Sequence, residues 1–115
     1  QVFLNIINNG LQAMENNPPE RPSLLTIRSF QDDEYAVVEI KDTGMGMDEM
    51  TKSRIFEPFF TTKEVGKGTG LGLSIVFKIV ETHSGEMHVQ TEKGKGTKFI
   101  LKFPIKAKIK SELEF

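Results

Sequence analysis

Apolar residues recur at helical spacing from the first residues of the chain. At about 100° per residue, Val2, Phe3, Leu4, Ile6, Ile7, Leu11, Ala13 and Met14 share one broad face of residues 1–15, and Asn5, Asn8, Asn9 and Gln12 the other. Asn16-Asn17-Pro18-Pro19 should stop this helix, because proline cannot continue it. The pattern then shortens to strand periodicity over Leu24 to Gln31 and Glu34 to Asp42, with a tight turn at Asp32-Asp33. Asp48 to Ile55 predicts a short helix capped by Asp48. Phe56 to Thr69 holds Pro58 and two glycines and reads as a long loop, a length often used for lids. Gly70 to Ser84 predicts a second long helix, with Leu71, Ile75, Val76, Ile79 and Val80 apolar, Ser74, Lys78 and Glu81 wet, and Gly85 as its stop. Glu86 to Glu92 and Thr97 to Phe103 read as strands around Lys93-Gly94-Lys95-Gly96, with Pro104 ending the last. Lys106 to Phe115 alternates charge without clear periodicity and reads as a loose tail.

This order predicts an α+β domain over residues 1–104. It should be a two-layer sandwich with one mixed, largely antiparallel sheet and helices on a single face. Strand alternation adds a sharper expectation. Ala36, Val38, Ile40 and Asp42 share one face, as do Thr97, Phe99, Leu101 and Phe103. If those faces meet the helices, Asp42 and Thr97 point into the helix–sheet crevice. A buried polar pair there needs a partner, and an adenine base can be one.

Composition narrows the picture. The 115 residues suit one small domain, with 37% hydrophobic and 27% charged residues, as in ordinary globular domains. A net charge of −1 gives no general attraction to nucleic acid or membrane. The absence of cysteine excludes disulfides and thiolate metal sites. No apolar run reaches the ~18 residues of a membrane span. Gln1-Val2-Phe3-Leu4 is already in helical pattern with no cap before it, so the chain reads as a piece of a longer protein.

The candidate chemistry lies in three loops. Asp42-Thr43-Gly44-Met45-Gly46 follows a strand, Phe56-Glu57-Pro58-Phe59-Phe60-Thr61-Thr62-Lys63 comes next, and Gly66-Lys67-Gly68-Thr69-Gly70-Leu71-Gly72-Leu73 opens a helix. A carboxylate can read an adenine amino group, and backbone N–H groups at a helix start can hold phosphates. With Asn5-Ile6-Ile7-Asn8-Asn9-Gly10-Leu11-Gln12-Ala13 before them and Gly94-Lys95-Gly96-Thr97 after, these segments resemble the catalytic, ATP-binding domain of bacterial sensor histidine kinases. That family belongs to a superfamily shared with gyrase and mismatch-repair ATPases, the Bergerat fold. The segments correspond in order to the N box, first glycine box, F box, second glycine box and the last glycine-threonine element. Phe-Phe-Thr-Thr-Lys is similar to the nitrogen-regulation kinase subgroup.

The resemblance implies roles residue by residue. Asp42 would accept from the adenine amino group, with Thr97 assisting through water. Gly44 and Gly46 would let the backbone approach the base. Asn9 would coordinate Mg²⁺, and Asn5, one turn earlier, would support the triphosphate. Lys63 and Lys67 would neutralise phosphate charge. Gly68, Gly70, Leu71 and Gly72 would offer N–H donors, and Gln12, Met47, Phe59, Thr62, Thr69 and Leu73 would complete the nucleotide pocket. The lid would order when nucleotide binds. Two departures stand out. Gly10 occupies a position that is usually alanine, at a helix cost of roughly 0.5–1 kcal/mol. The strand that precedes the N box in the family is not seen, so one sheet edge is expected to be bare.

The implied activity is ATP-dependent phosphorylation of a histidine on a separate dimerisation and phosphoacceptor domain, with a response-regulator receiver domain downstream. The implied setting is cytoplasmic, in a parent protein that can be membrane-anchored. Related ATPases carry a glutamate where this chain has Asn5, and an amide is no useful general base at neutral pH. His83 and His88 lie outside the family's phosphoacceptor context and read as structural. The alternatives are a degenerate nucleotide- or partner-binding module without transfer, or an ATPase or protein-serine kinase of the wider superfamily.

Overall fold

The computed structural model describes residues 1–58, 60 and 72–105. Within them the amphipathic N-terminal stretch forms α1 (Val2–Ala13). It stops before the prolines. Met14 and Glu15 turn their N–H groups to Leu11 and Gln12, three residues back, tightening the last turn. β1 (Leu25–Asp32) and β2 (Tyr35–Asp42) form the expected hairpin, followed by α2 (Glu49–Arg54). Asp48 caps α2 by accepting from the Thr51 N–H at 2.8 Å. α3 (Gly72–Thr82), β3 (Glu86–Glu92) and β4 (Gly96–Pro104) complete the order. The tail beyond Ile105 and the loop residues 59 and 61–71 lie outside the described residues.

α3 ends at Thr82, and Ser84 then takes a left-handed conformation at φ 58°, one residue before the expected stop at Gly85. Gly85 returns its N–H to the Val80 carbonyl at 2.8 Å. A Cβ on it would stand 2.9 Å from the Lys102 carbonyl and 3.0 Å from Phe103 and Val80. Glycine is there for close packing of the helix end on β4.

The sheet has the order β1-β2-β4-β3, and each junction is antiparallel. Ile27, Ile40, Phe99 and Val89 form one inward row. Leu101 lies one row further along, and Ile6, Val76 and Val80 bring α1 and α3 onto the same face. Phe99, Leu101 and Val76 are fully buried. Phe56, at the start of the long loop, joins this core and stacks on Phe77 with ring centroids 5.0 Å apart. No helix among the described residues is long and apolar enough to cross a membrane.

Two features depart from simple patterning. Val37 is buried on the outward face, where its cross-strand neighbours are Phe30 and Lys102. Arg28 lies over the Phe30 ring and Lys102 over the Tyr35 ring, so long side chains cover part of that face. The apolar face of α1 is also wider than its contact with the sheet. Phe3, Leu4 and Leu11 stay exposed, beside an edge strand that leaves Ile27 exposed.

Candidate functional site

Alternation along β2 and β4 delivers Asp42 and Thr97 to the inward face, as expected, and pairs them directly across the strands. Asp42 is 2% exposed and Thr97 6%. Asp42 accepts from the Gly44 N–H at 2.8 Å. Burial pushes its carboxyl above the usual range, opposed by the backbone N–H groups of Gly44 and Thr97. Gly10 of α1 faces this carboxylate. A Cβ there would stand 3.4 Å from the Asp42 Cβ and 3.5 Å from Oδ2. Both are ordinary contact distances, and the tighter neighbour of such a Cβ would be Leu25 Cδ1 at 3.0 Å.

The loop after Asp42 is wedged between α1 and the β3–β4 turn. The Met45 N–H donates to the Ala13 carbonyl at 3.2 Å, and the Met45 carbonyl accepts from the Gly94 N–H at 2.6 Å. Gly44 passes so close to the end of α1 that a Cβ would lie 2.6 Å from the Ala13 oxygen. Gly46 has φ 67° and lies against the Glu92 carbonyl. These close approaches are to the protein's own backbone.

Thr91 joins this group and was not singled out from the sequence. It lies opposite Thr97 in the ladder. Its hydroxyl donates to the Gly96 carbonyl at 3.0 Å, accepts from the Met47 N–H at 2.9 Å, and lies 2.9 Å from the Thr97 hydroxyl. The available signal was the inward run Met87, Val89, Thr91 on β3.

The remaining expected residues divide into groups. Asn5 and Asn9 are half-buried one turn apart on α1, and Gln12 is exposed on the same helix. Met47 and Leu73 pack against the core. Gly72 opens α3, and among the described residues a Cβ there would meet nothing within 4 Å. Phe59, Thr62, Lys63, Lys67, Gly68, Thr69, Gly70 and Leu71 lie outside the described residues. His83 bonds the Ile79 carbonyl at 2.8 Å and His88 bonds Glu86 at 3.0 Å, both at the surface.

A buried carboxylate thus lies beside a glycine loop, and α1 carries two half-buried amides one turn apart. Comparison with known proteins identifies the family. Sporulation kinase E of Bacillus subtilis is 42% identical over 106 residues, which are 92% of this chain and 14% of that protein. Sensor kinase CckA of Brucella abortus is 41% identical over 90% of this chain and 12% of its own length. The catalytic domain of histidine kinase ThkA superposes with a TM-score of 0.75 at 35% identity, covering 91% of this chain and 64% of that structure. The profile of the histidine kinase-, DNA gyrase B- and HSP90-like ATPases matches residues 1–107. The chain belongs to this family and is homologous to sensor histidine kinases.

Proposed function

We propose that this chain is the ATP-binding catalytic domain of a sensor histidine kinase. It would pass the γ-phosphoryl group of ATP to a histidine on a separate phosphoacceptor domain in the cytoplasm. The observation that carries the reading is Asp42. It is an ionisable group held at 2% exposure, bonded on one side to the Gly44 N–H and faced on the other by a glycine. Burying a carboxylate is costly without partners. Stacked against this crevice, adenine would donate its amino group to Asp42, with Thr97 and Thr91 holding the water between base and strand.

Asn5 and Asn9 would face the phosphates. Among the described residues no cluster of three or more His, Cys, Asp or Glu could hold a metal. Mg²⁺ suits a sparser set, because it takes one or two protein oxygens together with phosphate oxygens and waters. Asn9 would supply the protein oxygen, and Asn5 would steady the triphosphate. When bound, the ion neutralises charge on the phosphates. Phosphoryl transfer asks chiefly for positioning and charge neutralisation. The bond from the γ-phosphorus to the bridging oxygen breaks as the bond to an imidazole nitrogen forms, and ADP leaves. Asn5 offers no base to activate water, which favours transfer over hydrolysis. Neither His83 nor His88 is the acceptor in this reading. A receiver domain would take the phosphoryl group afterwards.

Calorimetric titration of Mg-ADP into the chain and into Asp42→Ala tests the pocket. Binding is expected for the first and not the second. Phosphate transfer from ATP to an added phosphoacceptor domain then separates a kinase from a module that only holds nucleotide. Equal binding by both chains would refute the pocket, and phosphate appearing on His83 or His88 would refute transfer to a separate domain.

A further inference from the structure

The segment between α1 and β1, read from sequence only as a helix stop, makes contacts that this role does not require. Asn17 donates from Nδ2 to the Thr43 carbonyl at 2.9 Å. Its Oδ1 accepts from Arg21 Nε at 3.2 Å and Nη2 at 3.1 Å. The third guanidinium nitrogen, Nη1, donates to the Gly94 carbonyl at 3.0 Å, across 73 residues of sequence. The Gly94 N–H in turn donates to the Met45 carbonyl. The contacts therefore close a ring: Thr43, Asn17, Arg21, Gly94, Met45. Inside it lies Gly44, whose N–H holds Asp42 Oδ1.

The chemistry of Arg21 is also unusual for a surface arginine. The ion pairs made by the described residues do not include it. Its planar fork is spent on an amide oxygen and a backbone carbonyl, both neutral acceptors. That use demands geometry rather than charge, which a lysine ammonium cannot reproduce. The hydroxyl of Thr43 adds a second tie to the same segment, donating to the Pro22 carbonyl at 2.7 Å and accepting from the Leu24 N–H at 2.9 Å.

We infer that Arg21 is a positioning residue that sets purine selectivity. Through Asn17 and Gly94 it fixes Thr43 and Met45, and so fixes the Gly44 N–H that orients the Asp42 carboxylate toward the base. The inference rests on the ATP-site reading above and deepens it. A site held in one geometry rejects a ligand lacking the matching hydrogen-bonding group, whereas a loosened site discriminates less.

The experiment compares the affinities of Mg-ADP and Mg-inosine diphosphate, which carries a carbonyl where adenine carries its amino group. The proteins are the wild type, Arg21→Ala, Arg21→Lys and Asn17→Asp. The last keeps the acceptor for Arg21 but loses the donor to Thr43. Circular dichroism establishes that each chain is folded. The wild type should prefer ADP, and each variant should lose about tenfold or more of that preference. A merely structural role would weaken both ligands alike and leave the ratio untouched, which would overturn the inference. So would a wild-type ratio in Arg21→Lys, because charge and not the fork would then be at work. If Arg21→Ala does not fold, the other two variants decide. A wild type that binds neither nucleotide would instead overturn the ATP-site reading, and the inference with it.

Discussion

Thr91 and Thr97, paired across β3 and β4, share a hydroxyl–hydroxyl bond of 2.9 Å. Thr91 also serves the Met47 N–H and the Gly96 carbonyl, so one side chain joins the glycine loop to the sheet. Thr91→Val keeps the shape and strands these partners. It should cost about 1–3 kcal/mol in urea unfolding and weaken ADP binding. Thr91→Ser should recover most of both, and a valine variant as stable as wild type would show that water replaces the hydroxyl at no cost.

Gly44 and Gly72 should respond in opposite ways to the same added methyl group. A Cβ at Gly44 meets the backbone of Ala13 at 2.6–2.8 Å, so α1 and the loop must part. Overpacking of this kind costs about 1–3 kcal/mol, and ADP binding should be lost. A Cβ at Gly72 meets nothing within 4 Å among the described residues. Gly72→Ala should melt no lower than wild type. Thermal melts of the two variants side by side check the pair.

Gly10→Ala sets helix propensity against packing. The helix gains roughly 0.5–1 kcal/mol, but the new Cβ lies 3.0 Å from Leu25 Cδ1. Leu25 is half-buried on an edge strand and its methyl group can swing away. A net gain in denaturant midpoint is expected. A net loss would mean that the contact with Leu25 outweighs propensity.

The pH dependence follows from Asp42. Its folded-state pKa is raised, by burial first, so between the ordinary range near ~3.9 and the raised value the folded chain holds more protons than the unfolded one. The stability contributed by this group therefore falls as pH rises through that window, and levels off above it. Urea unfolding of wild type and Asp42→Asn across pH isolates the effect. Wild type should lose stability relative to the variant as pH climbs from acid toward neutrality. The reverse slope would mean that the Gly44 and Thr97 N–H groups outweigh burial.

Much of this architecture can be read from local pattern. Period-two alternation placed Ile40, Asp42, Thr97, Phe99 and Leu101 inward, and β3 runs from Glu86 to Glu92 as expected. Asp48 caps α2 because its signal is three residues long. What escaped depends on contacts between distant segments. Arg21 reaches a carbonyl 73 residues away, and nothing in Pro18-Pro19-Glu20-Arg21 announces that. Val37 is buried on the outer face because arginine and lysine stems lie over its neighbours, which alternation cannot register. Gly85 stands where the sequence put the helix stop, but its close packing on Lys102 and Phe103 of β4 could not be read from the local pattern.

Among the described residues β1 has a strand neighbour on one side only, and Leu25 is its single residue shielded from solvent by as much as half-burial. Such an element opens before its neighbours do, at a free energy well below that of global unfolding. Yet the residue just before it is tied to the loop after Asp42, since the Leu24 N–H donates to the Thr43 hydroxyl. Peeling β1 away would loosen Thr43, and a ligand that needs Thr43 in place would resist the peeling. Amide deuteration should therefore report nucleotide at a distance. The β1 amides should exchange more slowly once ADP is bound, while those of the central β2–β4 pair should change little.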